Sequence, residues 1–294
     1  MNIYEESLKF HKDLKGKLEI SSRVKIENEK DLSLAYTPGV AEPCREIHKD
    51  PSTAYLYTRK WNTVAVISDG TAVLGLGDIG PLASLPVMEG KSILFKEFAG
   101  VDAFPIVLDT KEVDEIVETV VRIAPTLGGI NLEDISAPRC FEIEKKLKEK
   151  LNIPVFHDDQ HGTAIIVLSG LINALKIVNK NIEDLKIVVN GAGSAGTAIT
   201  KLLLSYGAKN IIVCDRDGAL NRDTTYTNSY FTELSNITNP NNESGILKDV
   251  IKNADVFIGV SAPNIVSKEM VASMNTDAIL FAMANPTPEI FQIG

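Results

Sequence analysis

The chain has 294 residues, 44% hydrophobic and 23% charged, an ordinary globular composition with length enough for two domains. Its formal net charge of −9, with no basic cluster, argues against nucleic acid as a partner. The N-terminus is charged throughout and lacks a signal-peptide core, and no apolar run nears the ~20 residues that span a bilayer, so we expect a cytoplasmic protein with no membrane partner.

Residues 1–30 predict one or two amphipathic helices of mixed charge, the kind of arm that small proteins use for dimer contacts, and we expect a homodimer or a higher homo-oligomer. Pro38-Gly39 then forces a turn, which puts Tyr36 on a stiff bend; such a tyrosine is commonly a packed aromatic, and a functional role stays open. Val64–Ile67 and Val73–Leu76 read as two strands joined by a Ser68-Asp69-Gly70 turn, a hairpin. Gly75 to Gly80 meets the letter of a GxGxxG pattern, but Pro81 follows it and no acidic residue closes a second strand at the right distance, so it is rejected as a dinucleotide site.

The helix predicted from about Leu82 to Phe98 has an apolar stripe of Val87, Met88, Leu94, Phe95 and Phe98, with Lys91 in its middle. A lysine there either snorkels to water or pairs with a buried carboxylate, and burial would suit it to act as a base. Ala103–Leu108 is a strand, and Lys111–Ala124 a helix with Val113, Ile116, Val117, Val120 and Val121 inward.

Residues 128–164 read strand, Glu133-Asp134, helix from Cys140 to Leu151, strand, Asp158-Asp159. In a parallel strand–helix–strand unit both strands end at one sheet edge, so two acidic pairs would converge. A hard divalent cation, Mg²⁺ or Mn²⁺, would supply the counter-charge; the alternative is two solvated loop tips. An apolar helix, Thr163–Val178, follows. The cysteines, Cys44, Cys140 and Cys214, lack metal-ligand spacing and are expected as free thiols.

Leu185–Asn190 is a near-continuous apolar strand of the type buried on both faces. Gly191-Ala192-Gly193-Ser194-Ala195-Gly196 follows at once, then a helix over Thr197–Tyr206, and the strand Asn210–Cys214 ends at Asp215, about 20 residues past Gly196. The full context of a dinucleotide fingerprint is present: strand before, helix after, and an acid for the ribose. Asn221 to Ser244 reads as a polar surface insertion. Val256–Val260 and Ala278–Ala282 are further strands, the latter leading to Asn285 at the ligand edge. The expected fold is therefore α/β: an N-terminal α/β domain over 1–163 that carries the metal and catalytic residues, then a doubly wound Rossmann-type domain over 164–294.

AYTPGV around Tyr36, GLGDIGPLASLPVMEGK ending at Lys91, INLEDI, FHDDQHGTA, NGAGSAG and FAMANPTPE, taken together and in this order, resemble malic enzyme of the small bacterial type. The resemblance implies oxidative decarboxylation of L-malate to pyruvate and CO₂ with reduction of NAD(P)⁺. Carried over by motif, Lys91 resembles the general base with Asp158 as its partner, Tyr36 the acid that protonates C3 of enolpyruvate, and Glu133, Asp134 and Asp159 the ligands of Mg²⁺ or Mn²⁺. Lys91 and Asn285 would contact substrate, and Asn285 also the cofactor. NAD is favoured because Asp215 ends the second strand, although Arg216 beside it would suit the phosphate of NADP.

Two departures stand out. Larger members carry an arginine shortly before GLGD, where this chain reads Gly70-Thr71-Ala72-Val73. The family also continues past NPTPE, so the Rossmann domain is expected to be incomplete at its C-terminus, as a fragment or a truncated form. Two alternatives remain: a malolactic-type conversion of malate to lactate with retained NAD, and an impaired remnant that only binds metal and nucleotide.

Overall fold

The computed structural model describes residues 2–285 and 287–290. The chain divides into two compact units, the first built mainly from residues before Phe156 and the second mainly from those after it.

Three helices open the first unit: α1 (Ile3–Leu14), α2 (Glu29–Ala35) and α3 (Ala41–Lys49), with a short α4 (Ala54–Tyr57) after them. Asn2 caps α1 by accepting the N–H groups of Tyr4 and Glu5, and the Glu5 side chain returns the bond to the Asn2 backbone. Then come β1 (Thr63–Ser68), α5 (Gly80–Ala99), β2 (Asp102–Val107), α6 (Val113–Ile123), β3 (Gly129–Leu132), α7 (Arg139–Lys150) and β4 (Val155–His157). The sheet order is β2-β1-β3-β4, with β1 parallel to both β2 and β3. Ile116, Val117 and Val120 of α6 and Ile143 and Leu147 of α7 are buried, as their helical spacing predicts.

Two expectations are corrected here. There is no hairpin: Leu74–Leu76 is a single 3-10 turn, and β1 already has a parallel neighbour on each edge, which leaves no ladder for a returning strand. The predicted stripe of α5 holds only in part: Met88 is buried and Val87 and Phe95 pack against its cluster, but the other two residues of the stripe do not. Leu94 is 49% and Phe98 84% exposed, and the serines Ser84 and Ser92 are buried beside Met88. The two serines satisfy their hydroxyls on helix carbonyls, Ser84 on Pro81 and Ser92 on Met88, so they can sit inside without outside partners.

The second unit holds α8 (Thr163–Val178), β5 (Lys186–Asn190), α9 (Ser194–Tyr206), β6 (Asn210–Asp215), β7 (Gly218–Ala219), α10 (Ser229–Ile237), α11 (Leu247–Val250), β8 (Val256–Gly259), α12 (Lys268–Ala272) and β9 (Ile279–Ala282). Its sheet order is β7-β6-β5-β8-β9, parallel except for β7. Alternate residues of the central strands feed two cores: Ile187, Val189, Ile211, Val213, Val256 and Ile258 on one face, and Val188, Ile212, Cys214 and Phe257 on the other. Burial on both faces explains the unbroken apolar runs of these strands. Asn190 registers with Cys214 and with Gly259, and Gly259 with Ala282, so four strands end at one edge.

Counted with the turn that opens α8, Asp158–Val178 is long and apolar enough to cross a membrane by length and composition, which corrects the expectation that no run nears that length. Ser169, Gly170 and Asn173 interrupt the run as read linearly without making the helix polar on average. Its face of Ala164, Val167, Leu171 and Leu175 belongs to a core, while 22% of the apolar window as a whole is buried.

Candidate active site

Strand β3 is buried along its whole length and delivers Glu133 and Asp134 directly beyond its last residue. Both acids are themselves buried, 4% and 5% exposed, which rules out a solvated loop tip for this pair. Asp134 holds a left-handed backbone, φ 53°, and its carbonyl accepts the N–H of Ala72 at 3.0 Å. A non-glycine residue in that region is a local cost kept by its surroundings. Strand β4, next to β3, delivers Asp158 and Asp159 in the same way, at the start of a π-helical turn over Asp158–Gly162.

Ligand oxygens from Glu133, Asp134 and Asp159 lie within 4.8 Å of one another. Three hard oxygen donors suit Mg²⁺ or Mn²⁺ rather than a softer ion, so the donor set fits the cation that the sequence predicts. Lys91 Nζ stands 3.0 Å from Glu133 Oε1, with the two side chains 22% and 6% exposed. This answers the question left by the sequence: the lysine of α5 pairs with a buried carboxylate and does not simply snorkel. Asn131 Nδ2 donates to Glu133 Oε2 at 2.8 Å, so both Glu133 oxygens are engaged within the protein. Sequence reasoning missed Asn131. Its signal was available, because a polar residue two positions before Glu133 on a buried strand lies on the same face.

Asp158 is packed against Gly162, where an added Cβ would fall 2.3 Å from its Oδ1. His157 is fully buried, with Nδ1 3.9 Å from Asp159 Oδ2. Tyr36 closes α2 on the predicted bend but is 68% exposed, and its hydroxyl makes no hydrogen bond among the described residues. The structure thus gathers Lys91, Glu133, Asp134 and Asp159, and leaves Tyr36 outside that group of contacts.

The second site is the edge of the β5 sheet. Gly191 has φ 123°, and a Cβ there would meet the Val260 carbonyl oxygen at 2.6 Å; a Cβ on Gly196 would fall 1.7 Å from the Gly191 oxygen. Only glycine fits either place, which is how the fingerprint brings α9 hard against β5. Helix α9 has no side-chain N-cap, and a Cβ on Gly193 would meet nothing within 4 Å. Open space in front of uncapped N–H groups fits a pyrophosphate.

Asp215 ends β6 with its Oδ1 accepting the N–H groups of Asp217 and Gly218 at 2.8 and 3.1 Å. Beside it opens a cavity of about 440 Å³ lined by Asp215, Asp217, Leu220, Asn221, Tyr226 and Phe231, among others, with no lysine or arginine. The predicted polar insertion supplies one wall of this cavity. Arg216 is exposed and does not line it. Asn285, after β9, is exposed. Burial pushes the Cys214 thiol up to about 12, so it is inert. Cys44, Cys140 and Cys214 form no disulfide among the described residues.

Residues 15–148 match the malic enzyme N-terminal domain, and residues 160–290 match the malic enzyme NAD-binding domain. The chain is 61% identical over 290 residues to an NAD-dependent malic enzyme of Geobacillus stearothermophilus, covering 99% of this chain and 60% of that protein. It is 59% identical over 291 residues to a bifunctional malic/malolactic enzyme of Bacillus subtilis, covering 99% and 71%. The crystal structure of an NAD-dependent malic enzyme from Thermotoga maritima superposes with a TM-score of 0.94 at 51% identity, over 97% of this chain and 76% of that one. The chain therefore spans between three fifths and about three quarters of these relatives.

Proposed function

The chain belongs to the malic enzyme family, and from that premise we propose that it oxidatively decarboxylates L-malate to pyruvate and CO₂, reducing NAD⁺ and requiring Mg²⁺ or Mn²⁺. The observation that carries this reading is the cluster of Lys91, Glu133, Asp134 and Asp159. Glu133, Asp134 and Asp159 would hold the cation, which supplies Lewis-acid polarisation of the C2 oxygen. The glycine fingerprint and Asp215 would hold the dinucleotide, which would supply the acceptor for the hydride at C2.

The protein's own groups handle the protons. Lys91 Nζ, in its neutral form, removes the 2-hydroxyl proton, and Asp158 serves as its partner. Once CO₂ has left, the Tyr36 hydroxyl delivers a proton to C3 of enolpyruvate. Asn285 contacts substrate and cofactor. Residues 1–163 form the catalytic portion and 164–294 the cofactor-binding portion of this reading. Tyr36 is supplied from an exposed bend, so its part in the reaction fits a homodimer or higher oligomer better than a lone chain.

NAD⁺ is preferred over NADP⁺. Asp215 and Asp217 both line the cavity beside β6, and no cation among its lining residues offsets the charge of a 2′-phosphate. Asp215→Ser should narrow or reverse the preference, shifting the ratio by about 1–3 kcal/mol. Fluorescence titration with NADH and NADPH checks this; tighter NADPH binding by the unmutated chain would give the decision to Arg216.

A second reading, malolactic conversion with retained NAD, is favoured by the bifunctional name of the Bacillus relative. One assay separates the two: malate, Mn²⁺ and each cofactor, followed at 340 nm. Oxidative decarboxylation accumulates NADH; lactate appearing without it selects the second reading, and neither product rejects both.

A further inference from the structure

Glu289 is fully buried, and neither the cation cluster nor the glycine fingerprint uses it. Its Oε1 accepts the N–H of Ser261 at 3.1 Å, and its Oε2 accepts the N–H of Ala284 at 2.9 Å. Ser261 lies just beyond β8 and Ala284 just beyond β9, the neighbouring strand. One carboxylate therefore ties together the chain leaving two adjacent strands at the same edge. The backbone around it extends the tie: Asn264 N–H donates to the Pro288 carbonyl at 3.1 Å, and Val266 N–H to the Glu289 carbonyl at 3.0 Å. Ser261 is joined in turn to the fingerprint, since Asn190 Nδ2, on the last residue of β5, donates to its Oγ at 2.6 Å.

The sheet order gives this tie a direction. Asp215 ends β6, on one side of β5, and the fingerprint follows β5 itself. A dinucleotide lying along that edge with its adenosine over β6 and its pyrophosphate at β5 must extend its other half over β8 and β9. That is where Ser261 and Asn285 stand. We propose that Glu289 is a positioning residue for the nicotinamide half of the cofactor, holding the loops after β8 and β9 in register. The proposal rests on the reading of this edge as a dinucleotide site.

The side chain type matters. A carboxylate offers two acceptor oxygens and no donor, which matches two converging N–H groups. The isosteric carboxamide would turn an NH₂ toward one of them and leave a buried donor unsatisfied. Gly259 provides the space, because a Cβ there would fall 2.4 Å from Glu289 Cδ.

The experiment compares Glu289→Gln and Gly259→Ala with the unmutated full chain. The first changes the acceptor set at constant shape; the second keeps the carboxylate but pushes it from its seat. NADH affinity, the emission spectrum of bound NADH, amide hydrogen exchange at Ser261 and Ala284, Mn²⁺ affinity and the thermal midpoint are measured. In both variants NADH should bind about tenfold more weakly, the scale of one lost charge-assisted hydrogen bond. Bound NADH should emit closer to the free cofactor, and the two amides should exchange faster, while Mn²⁺ affinity and the fold are kept. A merely structural carboxylate would lower the midpoint without moving the emission of bound NADH. Unaltered NADH affinity and emission in Glu289→Gln, or loss of the fold in both variants, would overturn the proposal. An unmutated chain that binds no NADH would overturn the dinucleotide reading itself, and the exchange rates, which need no ligand, would then judge the clamp alone.

Discussion

Lys91 and the proposed divalent cation would compete for the Glu133 carboxylate. Glu133 Oε1 faces the lysine at 3.0 Å, its Oε2 is taken by Asn131, and its side chain is 6% exposed. A buried carboxylate needs a counter-charge, and here an ammonium supplies one. A cation that takes Glu133 must displace or repel that ammonium, since like charges a few ångströms apart cost on the order of 4 kcal/mol at a surface-like dielectric. Two substitutions should then move Mn²⁺ affinity in opposite directions. Glu133→Gln should weaken it by about tenfold or more, through loss of a charged ligand. Lys91→Met should tighten it by about tenfold, through loss of the competitor. Calorimetry on folded protein measures both, and weaker Mn²⁺ binding in Lys91→Met would show that the lysine supports the cation site instead of opposing it. The same removal should abolish malate oxidation, because the proposed base is gone.

At the scale of elements, the second unit was the more legible because its strands are buried on both faces and announce themselves as runs. Leu185–Asn190 and its glycine fingerprint lie where the spacing puts them, and Gly191 and Gly196 are explained by backbone contacts that admit no Cβ. The acidic pairs were legible because each sits just past a short apolar strand. The failures have a common cause in pairing that sequence does not display. The 64–76 hairpin looked sound locally, but β1 spends both edges on β2 and β3, whose partners lie far along the chain. The α5 stripe misled because periodicity counts apolar residues, while Ser84 and Ser92 go inside on self-satisfied hydroxyls. Glu289 was invisible for a related reason: nothing local marks a glutamate whose two partners are backbone amides after other strands.

Asp255 shows how such a tie responds to pH. It stands just before β8, and its carboxylate accepts the Lys186 N–H at 3.0 Å, Lys180 Nζ at 2.9 Å and Asn275 Nδ2 at 3.0 Å. Burial alone would push its carboxyl up, but the bonds from Lys186, Lys180 and Asn275 together hold it below the usual carboxylate range. A folded-state value below the unfolded one of about 3.9 means that its stabilisation is complete above that pH and lost as pH falls through the folded value. Asp255→Asn should therefore lower stability by about 2 kcal/mol near pH 7, the scale of lost charged hydrogen bonds, with the difference shrinking toward pH 3. Urea unfolding across that range checks it, and a deficit equally large at pH 3 would assign the effect to geometry rather than charge.

At the scale of the whole molecule, the N-terminal helices raise a question that one chain does not answer. Helix α1 is 12 residues long with a complete capping box, yet it buries no residue, and neither do α2 and α3. Helices shorter than about 12–15 residues are marginal in water unless an apolar face packs against something. Such a face exists: Ile3, Phe10 and Leu14 share one side of α1 and are between 50% and 70% exposed, and Leu32 and Leu34 of α2 are 50% and 67% exposed. Sidechain ties to the rest of the first unit are few and polar, such as the Lys17 N–H to Glu89 Oε2 at 3.0 Å. Exposed apolar residues on helices that bury none would be covered by an interface, and a closed two-fold contact between copies is the commonest solution. The chain should therefore sediment at about twice 32.0 kDa at micromolar concentration. Phe10→Glu with Leu14→Glu, four residues apart and so on one side of α1, should return it to the monomer mass while leaving Mn²⁺ and NADH binding in place. Because Tyr36 stands on the same exposed segment, the monomeric variant should also lose turnover of malate more than it loses either ligand. Sedimentation of the unmutated chain as a monomer at tens of micromolar, about the range where an interface of standard size would hold, would remove the second copy from this account and leave Tyr36 without a route to the reaction.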